Sequence, residues 1–206
     1  MKLFLTLLCT AAAAGTTATA QTPTPVPARQ HLLEFGLGQS LNGSGDYMCL
    51  KSHLGYTRLL GKHLGVTSRL AMISGAEARY FEWNKDTYTY FPTSYHAVNV
   101  ESEALYAPFG NDRRFVFALG AGAYVGYTKQ YDFQSAGYGL DNNYNPVFTY
   151  QPYTVAGYHI GYVASLNFDY AVDYKERWLL GLKLALQNDT FANILPGAQV
   201  KLSRRL

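Results

Sequence analysis

Glu34, Lys51, His53, Arg69, Glu101, Glu103, His159, Lys183 and Lys201 share one habit. Each stands at an alternate position within a run of apolar and small residues. Carboxylates, amines and imidazoles are the groups that move protons or bind metals, but their spacing here argues against most such chemistry. No His or Cys pair has zinc-site spacing. Asp141-Asn142-Asn143 lacks the glycine and the distal Glu of a calcium loop. Gly120-Ala121-Gly122 precedes no helix, so it is no phosphate cradle. Ser52, Ser68 and Ser102 offer hydroxyls, but no histidine or carboxylate of the same parity is expected within one strand step to act as a base. No catalytic residue, metal or cofactor is therefore expected. The nine ionisable groups are left to pair with each other, because an isolated ion away from water is expensive.

The element that sets their orientation is Arg114 to Tyr127, RFVFALGAGAYVGY. Phe115, Phe117, Leu119, Ala121, Ala123, Val125 and Tyr127 form one face; Val116, Ala118, Gly120, Gly122, Tyr124 and Gly126 form the other. Strict period two is a strand pattern. A soluble sheet would carry Lys, Glu and Thr on its wet face. A wall of glycine instead suits the crowded inside of a small closed barrel, with the apolar face turned outward to lipid.

The same alternation recurs along the chain. Strands are expected at about His31–Gln39, Tyr47–Leu59, His63–Ile73, His96–Tyr106, Arg114–Tyr127, Thr154–Tyr170 and Trp178–Leu186, with an eighth carrying Ala198, Val200 and Leu202 outward. The connections near residues 60–62, 108–112 and 171–175 are short; the regions 74–95, 128–153 and 188–195 read as longer excursions or loops. Short turns on one rim and long loops on the other are the pattern of outer-membrane barrels. Tyr56, Tyr106, Phe115, Tyr170 and Trp178 collect on the apolar face at the short-turn rim, as an aromatic girdle. Tyr80, Phe81, Trp83, Tyr88 and Tyr90 flank the hairpin tip Asn84-Lys85-Asp86. With Tyr131, Tyr138 and Tyr144 of the long loop, they read as a surface suited to recognition.

The ionisable residues take the opposite, inward parity. Pairing positions that sum to 170 closes the tip at Lys85 and sets Arg69 opposite Glu101, with Glu103 one inward step further. Arg69 is expected to be held by these two carboxylates, against a facing wall of Ala118 and Gly120 with no competing side chain. Glu34 falls near His53, and Lys201 at a similar height to Glu34.

Composition agrees with an exported barrel. Met1 to Ala20 has the lysine, short apolar core and A-x-A site of a signal peptide, and Gln21–Arg29 is a Pro/Thr-rich spacer before a barrel over 30–206. Only Cys49 survives cleavage, so no intramolecular disulfide is expected. The net charge of +3 is too mild to imply nucleic acid.

With RFVFALGAGAYVGY and the alternating strands in view, the chain resembles the small eight-stranded outer-membrane barrels of the OmpA/OmpX-like superfamily of Gram-negative bacteria. The Pro-rich start and tyrosine-rich loops resemble members from the Bacteroidetes. The resemblance implies an all-β, antiparallel up-and-down transmembrane barrel, integral to the outer membrane, with extracellular loops and periplasmic termini. It implies contact with outer-membrane lipid and lipopolysaccharide, insertion by the barrel-insertion machinery, and a structural or surface-recognition role toward an extracellular ligand. The chain departs from it in closing on Arg204-Arg205-Leu206, where such barrels end in an aromatic. Two rivals stand beside this reading. A secreted lipocalin-like barrel would bind a small apolar ligand, with its apolar face inside. Some eight-stranded barrels modify lipid A through a His-x-Ser-Asn run on the lipid-facing wall; the nearest approach here, His159-Ile160-Gly161, lacks the serine and points inward.

Overall fold

Residues 30–42, 47–84, 87–140, 142, 146–191 and 194–206 are described in a computed structural model. The expected signal peptide and spacer (1–29), the tip residues Lys85 and Asp86, and Tyr144 lie outside the described residues. Eight strands follow one another: β1 (His31–Asn42), β2 (Tyr47–Leu59), β3 (Leu64–Asn84), β4 (Thr87–Tyr106), β5 (Phe115–Leu140), β6 (Pro146–Ala171), β7 (Trp178–Asp189) and β8 (Ile194–Arg205). Each pairs antiparallel with the next, and β8 returns to β1, closing the barrel. No helix among the described residues is long and apolar enough to cross a membrane, which says nothing of strands.

The barrel is inside out by the standard of a soluble protein. Leu54 is 63% exposed and Val200 56%, whereas Glu101 and Lys183 are each 0% exposed. On β5 the outward apolar face runs from Phe115 to Tyr127. Twelve steps of a strand tilted by about 40° rise roughly 30 Å, close to the height of a hydrocarbon core. A second aromatic band closes the upper edge of this belt. There Tyr127 packs edge-on against Tyr158, with ring centroids 5.4 Å apart, and Tyr162 is also exposed.

Two expectations about the strands are corrected. The stretch 128–153 is not a loop, and the hairpin read over 74–95 is the direct continuation of β3 and β4 rather than an excursion between strands. β3 and β4 remain paired from Leu64–Tyr106 up to Asn84–Thr87, and β5 and β6 remain paired up to Leu140–Pro146. Likewise β7 continues to Asp189 and β8 begins at Ile194, so little of 188–195 is loop. Aliphatic residues give way to Tyr, Gly and Thr above the belt, which ends the hydrophobic signal but not the backbone pairing. Aromatic cross-strand neighbours stabilise a ladder as well as aliphatic ones do. The two rims thus differ in strand length more than in loop length. The tip register holds: positions summing to 170 face each other from Leu64–Tyr106 through Arg69–Glu101 to Glu82–Tyr88, before a shift between Glu82 and Asn84.

Glycine on the inner wall makes room for the lumen's side chains. A Cβ at Gly120 would stand 2.6 Å from Glu103 Oε2 and closer still to Ser165 Oγ. Replacing Gly120 with Val should therefore destabilise the barrel by about 1–3 kcal/mol through overpacking. Ala121→Val, on the exposed outer face one residue away, should change stability by under about 0.5 kcal/mol. Denaturant titration of the folded barrel in micelles compares the two.

Candidate functional site

Inside the barrel, the alternation of the strands brings distant residues to one level. Glu103 Oε1 accepts hydrogen bonds from Arg69 Nη1 and Lys183 Nζ, both at 2.5 Å, and its Oε2 accepts one from the Ser165 hydroxyl at 2.5 Å. Glu101 is held by Lys51 at 2.7 Å and by the Gln187 amide at 2.8 Å, with Lys183 3.7 Å from its other oxygen. Arg69 Nε donates to Glu34. Glu34 is further flanked by His53 at 3.8 Å and Lys201 at 3.9 Å. Lys201 also pairs with Asp169 at 3.0 Å and donates to Asn167 at 3.2 Å. Four carboxylates (Glu34, Glu101, Glu103, Asp169) thus meet four cations (Lys51, Arg69, Lys183, Lys201), and the cluster is neutral. Balance is what such burial requires, since an unpaired charge there would carry its full desolvation cost.

Arg69 and the expected pair of carboxylates are partly corrected. Its partners are Glu34 and Glu103; Glu101, directly opposite on β4, turns instead to Lys51, Lys183 and Gln187. The facing wall is not empty either: Ser165 and Lys183 reach across it to Glu103. Cross-strand arithmetic finds ladder neighbours, but long side chains in a narrow lumen also choose partners across the barrel.

His159 lies apart from this cluster. Its Nδ1 meets Asp189 and its Nε2 meets Asn99 Oδ1, both at 2.8 Å. Apolar groups flank the charged layer at both ends. Tyr47, Cys49, Ile73, Tyr95, Ala97 and Leu195 pack together toward the extended end, and Ala107, Val116 and Ala118 toward the turn end. A cavity of about 50 Å³ remains at the turn end, between leucines such as Leu105 and Leu179 and the polar Glu34, Asp169 and Lys201. The charged groups of the interior thus gather in its middle, with apolar and uncharged polar side chains together toward both ends.

At the turn end Tyr56, Tyr106, Phe115, Tyr170 and Trp178 are all exposed on the outer face. Cations crowd the same rim: Arg58 and Lys62 at the β2–β3 turn, Arg113 and Arg114 before β5, Lys175 and Arg177 before β7, and Arg204 and Arg205 on β8. These eight face three carboxylates, Asp112, Asp173 and Glu176, a surplus of five. Lys62 pairs with Asp112 and Arg205 with Glu176. Asp173 accepts the Trp178 backbone N–H at 2.7 Å, and that donor, first among several, holds its carboxyl below the usual range.

Of the aromatics singled out for recognition, Tyr90 is 67% exposed and Tyr131 half-buried on β5. Tyr80, Phe81, Trp83 and Tyr88 lie on β3 and β4 and Tyr138 on β5; their side chains are outside the described residues, as is Tyr144 entirely. The sequence reading missed one outward pair: Ser74 Oγ and His96 Nδ1 lie 3.0 Å apart on exposed positions of β3 and β4. Extending the 170 register one turn past Met72 would have found it.

No protein-family model and no curated protein matches the chain. Among solved structures, OprG, an outer membrane protein from Pseudomonas aeruginosa, matches at 11% identity with a TM-score of 0.50, covering 86% of this chain and 97% of that one. Neisserial surface protein A matches at 10% identity with a TM-score of 0.51, covering 89% and 100%. Ail, the attachment invasion locus protein of Yersinia pestis, matches at 12% with a TM-score of 0.45, covering 85% and 95%. At such identities the likeness to OprG and Neisserial surface protein A is one of fold. The fold class is the closed eight-stranded antiparallel barrel, which the chain shares with these two proteins.

Double-mutant cycles check the lumen. Arg69→Met alone should cost about 3–5 kcal/mol, because it leaves buried carboxylates unneutralised. Its coupling to Glu34→Gln should exceed about 1 kcal/mol, and that to Glu101→Gln should be clearly smaller. Equal couplings would mean that Arg69 does not choose between them.

Proposed function

We propose that the chain is an integral outer-membrane barrel, its turn end periplasmic and its extended hairpins extracellular, which performs no chemistry and presents those hairpins for recognition. Residues 1–20 would be its cleaved export signal and 21–29 a spacer. The observation that carries this reading is the unequal length of the strands. β1, β2, β7 and β8 have 12 or 13 residues, enough to cross a bilayer, while β3 to β6 have 20 to 26. Beyond Ser74 on β3 and beyond Gly161 toward the tip of β6, no ladder to β2 or β7 is described. The two hairpins therefore carry strand edges and exposed tyrosines, which suit an extended polypeptide adding as a further strand. Pro92, Pro152 and the irregularity between Phe133 and Ser135 interrupt these edges, a device that limits self-association.

The lipocalin-like alternative needs an apolar cavity inside and polar residues outside; this barrel buries charged side chains inside and exposes an apolar exterior. Acyl hydrolysis at the outer leaflet has one observation in its favour, the Ser74–His96 hydrogen bond. Among the described residues no third group orients His96, and the strand N–H groups around it are engaged in ladders. Wild type and Ser74→Ala should thus release equally little fatty acid from lipid A.

The chain should fractionate with outer membranes and migrate faster unboiled than boiled, since a closed hydrogen-bonded barrel resists detergent. Protease added to intact cells should cut above Tyr127 and spare the belt. Recovery in a soluble fraction with no mobility shift would overturn the membrane reading. Replacing 132–152 with a tight turn should keep the mobility shift and abolish binding of expressing cells to immobilised peptides and glycans. Binding that survives the replacement would overturn the recognition role.

A further inference from the structure

We infer that the turn end is a binding surface for the phosphodiester headgroups of anionic phospholipid, with Arg58, Arg114 and Arg204 as its outward cations. The inference rests on the membrane reading above and adds which lipid the turn end meets. Three observations carry it. The first is where the charge lies. The central cluster of the lumen balances four against four, whereas the turn rim holds five more cations than side-chain carboxylates. Among the described residues with described side chains at the opposite end, Lys129 is offset by Glu77 and Asp132. The surplus is therefore confined to one rim.

The second observation is the direction of the arginines. Arg58, Arg114 and Arg204 are exposed, and Arg58 and Arg204 share the outward parity of the lipid-facing leucines. The Arg204 guanidinium carbon stands 5.4 Å from the centre of the Trp178 ring, and that of Arg114 stands 5.6 Å from the centre of the Tyr170 ring. Both rings belong to the aromatic girdle, which marks the headgroup level. Stacking on a ring engages one guanidinium face; Arg114 Nε donates to the Ala171 carbonyl at 3.3 Å, which leaves its two Nη groups, and the N–H edges of Arg204, as a fork that matches two oxygens of one phosphate.

The third is that the local carboxylates are already occupied. Asp112 and Glu176 pair with Lys62 and Arg205, and Asp173 accepts a backbone N–H. Among the described residues, none of the three arginines has a carboxylate partner. Arg58 and Arg204 flank β1, and Arg114 precedes β5, halfway round the closed sheet. The cations thus form a collar around the barrel rather than a single pocket.

The test reconstitutes the full chain into vesicles of phosphatidylcholine, with and without phosphatidylglycerol, and into vesicles with lipid A. Unboiled mobility reports insertion, and mass spectrometry of the lipid retained after mild solubilisation reports preference. Phosphatidylglycerol should be retained at least about five-fold over phosphatidylcholine, the factor expected from even one cation at a charged surface. That preference should fall as salt is raised. Arg58→Gln/Arg114→Gln/Arg204→Gln should lose it while keeping the mobility shift, and the corresponding triple Lys variant should keep part of it. Insertion without preference, a preference insensitive to salt, one that survives the Gln substitutions, or stronger retention of lipid A would each overturn the proposal and leave the membrane reading standing. Failure to insert into any vesicle would overturn both.

Discussion

Eight charges of opposite sign are buried together inside the barrel, and their balance decides much else in the molecule. Glu103 takes Arg69 and Lys183 on one oxygen and Ser165 on the other, so four strands are tied at one point. Those reaches need space, which is why the opposing wall of β5 is glycine and alanine. They also need the strands to keep register. A slip of one residue in a strand would turn its inward ions out into the apolar belt and its outward leucines inward. The charges stabilise little by themselves, since desolvation offsets most of the attraction. They make the wrong registers far worse than the right one.

The apolar layers at both ends of the lumen complete this arrangement. They lower the polarity on either side of the charged layer, which strengthens each pairing and raises the cost of losing one member. His159 and Asp189 form a separate pair beside the upper layer. The interior is thus stratified, with the ion pairs gathered in its middle.

Much of this was legible in sequence, because a strand's period of two is the simplest of all structural codes. The faces of β5, the eightfold repetition, the girdle from Tyr56 to Trp178 and the ladder neighbours Arg69 and Glu101 all follow from alternation and one turn. What was not legible has two physical causes. Side chains that cross a lumen pair by height and reach, not by ladder position, so Arg69 finds Glu34 and Glu101 finds Lys51. Strands above the belt lose the aliphatic pattern while keeping their hydrogen bonds, so Thr128 to Gln151 looks like a loop and is mostly sheet. Ser74 and His96 escaped because they sit where the belt ends.

The long hairpins have a further consequence. Above the belt β3 pairs with β4, and β5 with β6, while their outer neighbours have already stopped. A residue added to β5 and another to the matching position of β6 would lengthen that hairpin without touching closure of the barrel. Two added to one arm alone would keep the facing of its side chains but force a bulge. Length on this side can therefore drift in matched increments while the ring of eight stays fixed. A lineage under pressure to alter its exposed surface could do so by changing two arms together, at almost no cost to the anchor beneath.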